Sequence, residues 1–377
     1  MTKKKILFVT PGMKKSGAEK ILTFLVLSLK KQGHVVSVVT FSDGYYGSFL
    51  RSSGIAVKVL PVGSLNTFFS DISRLSKFIK FYKPDIVQTW MYRGDLFGGL
   101  AAFLAGFRNI YWGVRHGAPS YRYEKFFSLL LILLCGILSW VIPRKIICCA
   151  ATGAQKHRAF GYDISKFHHI PNFCDSKDFG AIQKNQLNFR EIAGFTDASF
   201  VIGVIARYHS QKGHKLMLRA ASILKDRGLK FNVLFVGDGI ETEYAASLKA
   251  YIVQNDLEGC VSMLPAVESI ERVYHSLNLT CMCSIYGEGF PNVIVESFCC
   301  GVPVLTTKTG DAGLVASSEY WHIDPITPLN LANKIQCIIQ SDKCDLSRRV
   351  MKSKRELESK YSKTRFLELF TEVYEIG

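Results

Sequence analysis

No two aspartates in the 377 residues are spaced as Asp-x-Asp, and no GxxxxGK[ST], HExxH or GxSxG pattern occurs. The first absence weakens the case for a metal-chelating sugar-nucleotide site. The others remove a P-loop, a zincin and a nucleophile elbow. The eleven cysteines include no CxxC and are odd in number, so neither a disulfide framework nor a zinc site is expected. A reducing, cytosolic compartment is the simple expectation. Gly 30 and Pro 11 are too few for a collagen-like or low-complexity chain. The start, MTKKKILFVT, has too short an apolar stretch for a signal peptide and lacks a small-residue cleavage site, so it reads as a first strand. No aromatic platform interleaves the Lys and Arg, which argues against a nucleic-acid partner.

What is present is long enough for two domains. With 48% hydrophobic and 21% charged residues, each half can bury a core. The net charge of +16 is unevenly placed. Residues 1–185 hold 26 Lys and Arg against nine Asp and Glu, and residues 186–377 hold 21 against 22. The basic excess lies wholly in the first half and suggests a polyanionic partner there. That half also contains Phe126 to Ile142, 17 residues without a charge, flanked by Lys125 and by Arg144-Lys145. The run is at the lower limit for a membrane span. A span would put Arg115-His116 and Pro171-Asn172 on opposite sides of a membrane, so an interfacial or buried helix is expected.

Strand-like runs at Ile6–Thr10, Val35–Thr40, Val57–Pro61, Ile86–Thr89, Ile110–Val114 and Lys145–Cys149 alternate with helical stretches. The pattern restarts with strands at Phe200–Ile205, Phe231–Val236, Val261–Leu264, Leu279–Cys283 and Pro303–Thr306. This predicts an α/β chain of two Rossmann-like parallel-sheet domains. The expected boundaries are 1–180, a linker at 181–198, a second domain at 199–350 and terminal helices at 351–377.

Tyr286 to Glu296 reads YGEGFPNVIVE. Pro291 and Asn292 suit the first positions of a helix, whose N–H groups and dipole suit diphosphate oxygens or sugar hydroxyls. Glu288 and Glu296 suit a sugar ring and a ribose diol. Spacing alone does not separate this from an exposed helix start with two solvated carboxylates. Arg207 and Lys212 suit a diphosphate clamp or a solvated rim. Gly17, after the first strand, suits a close phosphate approach or a tight turn. His116 suits a reacting sugar or a structural role. Gly237-Asp238-Gly239 fails the dinucleotide fingerprint at Thr242.

Taken together and in order, SGAEKILTFLVLSL, PDIVQTWMYRGDLFGGLAAFLAG, WGVRHG, HHIPNFCD, IGVIARYHSQKG, LFVGDG and EGFPNVIVESFCCGVPVLTT resemble glycosyltransferase family 4, the retaining GT-B transferases. The resemblance covers nearly the whole chain, and TWMYRGDLFGGLAA with WGVRHG resembles the bacterial O-antigen and capsule branch. It implies two domains facing a central cleft, the second binding an NDP-sugar, the first an acceptor, and the last helix returning to the first domain. By this resemblance Arg207 and Lys212 grip the diphosphate, Gly17 offers it backbone, and Glu296 holds the ribose. Glu288 with the Gly289, Phe290 and Asn292 N–H groups, beside Pro291, holds the transferred sugar. Backbone near Leu264 meets the base, and His116 lies at the reaction centre. The implied activity is retaining transfer of a hexose or N-acetylhexosamine from a UDP-sugar, ahead of a GDP-sugar, without a metal or other cofactor. The implied acceptor is a lipid-linked glycan, reached by a cytoplasmic protein docked peripherally on an anionic inner membrane. Tyr92, Arg93 and Arg115 are the expected acceptor contacts. The chain departs from the family at Ser16-Gly17, where Gly-Gly is common, at Gly313, where Glu is common, and in the stretch before Asp324. A sugar-nucleotide epimerase and a non-catalytic membrane subunit are the competing functions.

Overall fold

The computed structural model describes every residue except 1–2, 63–66, 118, 120, 122–125, 174, 180–188, 197–198 and 377. The chain divides into two compact units, Met1–Asn172 with Thr364–Gly377, and Phe173–Lys363. The first unit holds β1 (Lys5–Thr10), β2 (Val35–Thr40), β3 (Ala56–Val59), β4 (Ile86–Thr89), β5 (Ile110–Val114), β6 (Lys145–Cys148) and β7 (Phe167–His169). Their order is β3-β2-β1-β4-β5-β6-β7, and every pairing is parallel. The second holds β8 (Val201–Ile205), β9 (Asn232–Gly237), β10 (Val261–Pro265), β11 (Leu279–Met282), β12 (Val304–Thr307) and β13 (His322–Ile323). Their order is β10-β9-β8-β11-β12-β13, again all parallel.

The inner strands of both sheets bury their β-branched and aromatic runs on both faces, as parallel sheets covered by crossover helices do. Each sheet reverses strand order once, between β1 and β4 and between β8 and β11. The chain leaves the carboxyl ends of those strands in opposite directions, which opens a crevice there. Fold physics therefore points to these two places before any side chain is considered.

The unit boundaries differ from the expected ones. The first break falls at 172–173, and most of the expected linker, 181–188 with 197–198, lies outside the described residues. The return to the first unit begins at 364, not 351. The reason is that helix Lys343–Lys360 is anchored in the second unit. Lys354 Nζ donates to the Cys299 carbonyl at 2.9 Å, and Trp321 Nε1 donates to Ser353 Oγ at 3.0 Å. Helix Lys363–Tyr374 packs on the first unit, with Phe366 against Phe24 and Tyr374 against Tyr111. Tyr374 Oη donates to Gln88 Oε1 at 2.8 Å inside that core. Cys299 is disulfide-bonded. The expectation of no disulfide framework did not anticipate this bridge.

The apolar run forms helix Phe126–Leu138 of 13 residues. At 1.5 Å per residue it is about 20 Å long, against roughly 30 Å of bilayer hydrocarbon. No helix among the described residues is long and apolar enough to cross a membrane. Ile132, Cys135 and Gly136 face the core, and a Cβ on Gly136 would lie 1.9 Å from the Phe160 carbonyl oxygen. Phe126, Phe127, Leu130, Leu134 and Ile137 are exposed, and Trp140 and Val141 continue the exposed row. The spacing 127, 130, 134, 137, 141 follows one helical face. The run is thus neither a span nor a buried helix. It is half-seated, with an apolar row left on the surface.

Candidate active site

In the second unit the crevice at the β8–β11 reversal is a pocket of about 180 Å³. Strand ends Val204–Ala206 and Cys281–Ser284 form its floor, and Lys212, Glu288, Phe290, Pro291 and Asn292 line it. Glu288 is 8% exposed. Its Oε1 accepts from Lys212 Nζ at 2.5 Å and from Ser284 Oγ at 2.5 Å. A buried carboxylate needs such partners, because losing water without them costs several kcal/mol. An ammonium carries three donors, so the one given to Glu288 leaves Lys212 two more.

Two glycines bring these groups together. Gly213 has φ +69°, and a Cβ there would lie 1.9 Å from the Cys283 carbonyl oxygen. Gly310 has φ +61°, and its Cβ would lie 2.2 Å from the Glu288 carbonyl oxygen. The first seats the Lys212 turn on the end of β11, and the second seats the turn after β12 on Glu288. Thr307 Oγ1 and Thr309 Oγ1 both donate to the Ser284 carbonyl, at 2.5 and 2.9 Å, which fixes the loop from below.

Helix Asn292–Cys299 begins at the pocket with Pro291 as its N-cap. No side chain among the described residues caps it. Glu296 lies one turn in and accepts from Tyr274 Oη at 2.8 Å. Burial and the neighbouring Glu296 push the Tyr274 phenol well above its usual range, so it stays a proton donor. Arg207 is exposed just beyond β8. Leu264 lies on β10, and its carbonyl accepts from Tyr208 Oη at 2.8 Å. The structure thus brings Lys212, Glu288, Phe290, Pro291 and Asn292 to one pocket. Gly289 adjoins it, with its carbonyl accepting from the Asp311 N–H at 3.3 Å.

In the first unit the other candidates follow β1, β4 and β5. Gly17 opens helix Gly17–Lys31 and is exposed. Ser16 is the N-cap, but its hydroxyl donates to Glu19 instead of capping a backbone N–H. Burial raises the Glu19 pKa. Trp90 Nε1 donates to the Ala18 carbonyl at 3.2 Å and ties the β4 end to this helix start. The Arg115 guanidinium lies 4.4 Å above the Trp90 ring and donates to Asn172 Oδ1. Among the described residues its Nη1 is buried without a hydrogen-bond partner, and burial lowers its pKa. Arg93 Nη2 donates to the Val62 carbonyl at 2.8 Å. Tyr92 Oη lies 2.7 Å from His157 Nε2 and 3.5 Å from His116 Nδ1. All three expected acceptor contacts therefore have partners inside their own unit.

The family description Glycosyltransferase Family 4 matches residues 15–178, and Glycosyl transferases group 1 matches residues 185–357. The chain belongs to the family 4 glycosyltransferases. Among curated relatives, EpsF of Bacillus subtilis, which carries the name of a glycosyltransferase, is 25% identical over 345 residues, 86% of each chain. The capsular polysaccharide biosynthesis glycosyltransferase CapM of Staphylococcus aureus is 25% identical over 302 residues, 77% of this chain and 76% of its own. The UDP-Gal:alpha-D-GlcNAc-diphosphoundecaprenol alpha-1,3-galactosyltransferase of Escherichia coli is 26% identical over 252 residues, 65% and 63%. Among solved structures, HepE of Anabaena in complex with UDP-glucose superposes with a TM-score of 0.86 over 99% of each chain at 20% identity. WaaG, a glycosyltransferase involved in lipopolysaccharide biosynthesis, superposes at 0.73 over 98% of this chain and 99% of its own, at 12% identity. These two share its GT-B fold.

Three residues of this glycosyltransferase's site region escaped the sequence reading. Ser284 holds Glu288, Tyr274 holds Glu296, and His157 holds Tyr92. Ser284 could have been found by its position at a strand's carboxyl end, four residues before Glu288. The other two lie 22 and 65 residues from their partners and leave no local pattern.

Proposed function

We propose that this glycosyltransferase moves a hexose or N-acetylhexosamine, with retention, from a UDP-sugar or GDP-sugar to a lipid-linked saccharide in bacterial surface polysaccharide synthesis. The observation that carries the reading is the Lys212–Glu288–Ser284 cluster, set at the strand-order reversal beside the start of helix Asn292–Cys299. A donor diphosphate placed at that helix start meets the positive end of its dipole and the remaining Lys212 donors. Arg207 adds a second cation from the neighbouring loop. These fixed charges stabilise the departing diphosphate, and the reading gives that task to no metal. Glu288, held by two hydrogen bonds, faces the transferred sugar, and Glu296 takes the ribose hydroxyls. The UDP-glucose bound by HepE and the diphosphoundecaprenol named in the E. coli relative support a nucleotide-sugar donor and a polyprenyl acceptor.

The acceptor's anchor calls for membrane contact. The exposed row from Phe127 to Val141, in a half of the chain with a net +17, suits peripheral docking on anionic lipid. The test supplies UDP- and GDP-sugars with polyprenyl-diphosphate GlcNAc in EDTA and follows the product by NMR. An α-linked product from an α-donor supports the reading. An inverted linkage, a need for divalent metal, or epimerised donor without acceptor overturns it.

A further inference from the structure

Arg115 directly follows β5 at the carboxyl end of the first sheet, beside the end of β4. Two contacts fix its guanidinium. It lies 4.4 Å above the ring of the buried Trp90, and its Nη2 donates to Asn172 Oδ1. Neither partner carries a charge. Among the described residues no carboxylate pairs with Arg115, and its Nη1 is buried with no hydrogen-bond partner. The ionisable groups that act on it are the thiols of Cys148 and Cys149, and Cys149 gives its proton to the Arg115 carbonyl at 3.5 Å. Burial lowers the Arg115 pKa, but a guanidinium keeps its proton at neutral pH. The charge therefore stays, without the kind of counter-ion that Lys212 gives Glu288. For the fold alone this is a cost, and proteins keep such costs where a ligand offsets them.

We propose that Arg115 is an anion-binding residue of the first unit, and that its ligand is a phosphate or diphosphate group. A planar fork, already oriented by Trp90 and with one donor unused, suits two oxygens of one phosphate. An anionic oxygen is a stronger acceptor than the Asn172 amide oxygen, so the anion takes Nη2 from Asn172 and fills Nη1 in the same exchange. Arg115 is partly exposed although Nη1 is not, so Nη1 is reached only through that exchange. On the proposed transfer reaction, the anion is the diphosphate that joins the acceptor's saccharide to its lipid. That identity rests on the proposed function, but the anion site itself does not.

The probe is inorganic diphosphate, followed by thermal shift on the full chain, with Arg115→Met and Lys212→Ala beside the wild type. Methionine keeps a long stem against Trp90 and removes the charge. Diphosphate should stabilise the wild type and Lys212→Ala, and its affinity should fall about tenfold or more in Arg115→Met. Without ligand, Arg115→Met should melt at or above the wild-type temperature, because an uncompensated charge has gone. Three results overturn the proposal: stabilisation lost in Lys212→Ala but kept in Arg115→Met, no stabilisation of the wild type, or a ligand-free Arg115→Met that melts well below the wild type. A second arm compares a polyprenyl-diphosphate saccharide with the same saccharide on an uncharged lipid. Arg115→Met should raise the KM of the first about tenfold and leave those of the second and of the donor unchanged. An unchanged KM for the charged acceptor overturns its assignment to this site. If diphosphate binds through Arg115 but no acceptor gives product, the proposed function fails and the anion site stands.

Discussion

The two units are built on one plan and equipped differently. Each is a doubly wound parallel sheet with a single strand-order reversal. In the second unit the reversal carries a buried carboxylate neutralised by a lysine. In the first, the ends of β4 and β5 carry a tryptophan-stacked arginine and a tyrosine between two imidazoles. The topology decides where a ligand can lie, and the side chains at the strand ends decide what it is. On the proposed function, the second unit's carboxylate and cation face a sugar nucleotide. The first carries an apolar row on its surface, which the same reading assigns to lipid.

The sharpest way to break this contrast is at Glu288. Lys212→Ala leaves a buried carboxylate without its counter-ion, and Glu288→Ala removes the carboxylate itself. Each should lower kcat by about 10² to 10³, the range for losing a preorganised charged contact, with the first unit's lipid binding unchanged. Steady-state kinetics beside a liposome assay checks both. A loss of less than tenfold for either would mean that the pocket is not where the chemistry occurs.

The lipid side is tested by Phe127→Ser with Ile137→Ser. Both side chains are exposed, 71% and 67%, so folding stability should hold. Each apolar side chain buried in lipid contributes roughly 1.5–3 kcal/mol, so cosedimentation with anionic vesicles should weaken at least tenfold. Nucleotide binding should not change. Equal vesicle binding by the double variant would move the docking surface elsewhere.

Within the first unit, two buried groups respond to pH in opposite senses. Asp95 is fully buried beneath β4, where it accepts from Thr89 Oγ1 at 2.5 Å and from the Gly113 N–H at 3.2 Å. Burial raises its pKa to about 7. The unfolded value is about 3.9, so the folded state holds this proton more tightly and its contribution is lost as pH rises from about 4 through 7. His157 acts in the opposite sense. Its folded value of about 4 lies below the usual 6.5, so its contribution is lost as pH falls through that window. Asp95→Asn should therefore gain stability relative to wild type as pH goes from 4 to 8. Urea midpoints along that series measure it, and a pH-independent difference contradicts it.

A smaller effect tests where the chain's end belongs. Tyr374→Phe leaves Gln88 Oε1 in the core without its donor, at about 1–3 kcal/mol. For a unit of this size that lowers Tm by roughly 2–4 °C per kcal/mol. The drop should appear in the melting step that Asp95→Asn also moves, and not in the step that UDP moves.

Much of this was readable from residues. Apolar runs bounded by turns marked eleven of the strands to within a residue or two, because parallel strands buried on both faces cannot be polar. The EGFPN segment marked its helix start through Pro291. The short strands β7 and β13 carried too few residues to show a period, and helix Tyr45–Ser52 lay in a stretch with little apolar signal. The end of the second unit was misplaced because the alternating charges of Lys343–Lys360 conceal Val350, Ser353 and Leu357, the residues it buries. Glu288 and Lys212 were legible as candidates, but their ion pair was not, since 76 residues separate them. Tyr92 read as an acceptor contact, and only the fold brings His157 to it.

The most direct test of the whole account is nucleotide binding by the wild type and by Glu296→Ala, followed by thermal shift with UDP, GDP, ADP and CMP. The account predicts stabilisation by UDP, or by GDP, of about 2.7 kcal/mol at 100 times the dissociation constant, and its loss in Glu296→Ala. Equal stabilisation of the variant, or none of the wild type by any of the four, would contradict the assignment of the donor to the second unit.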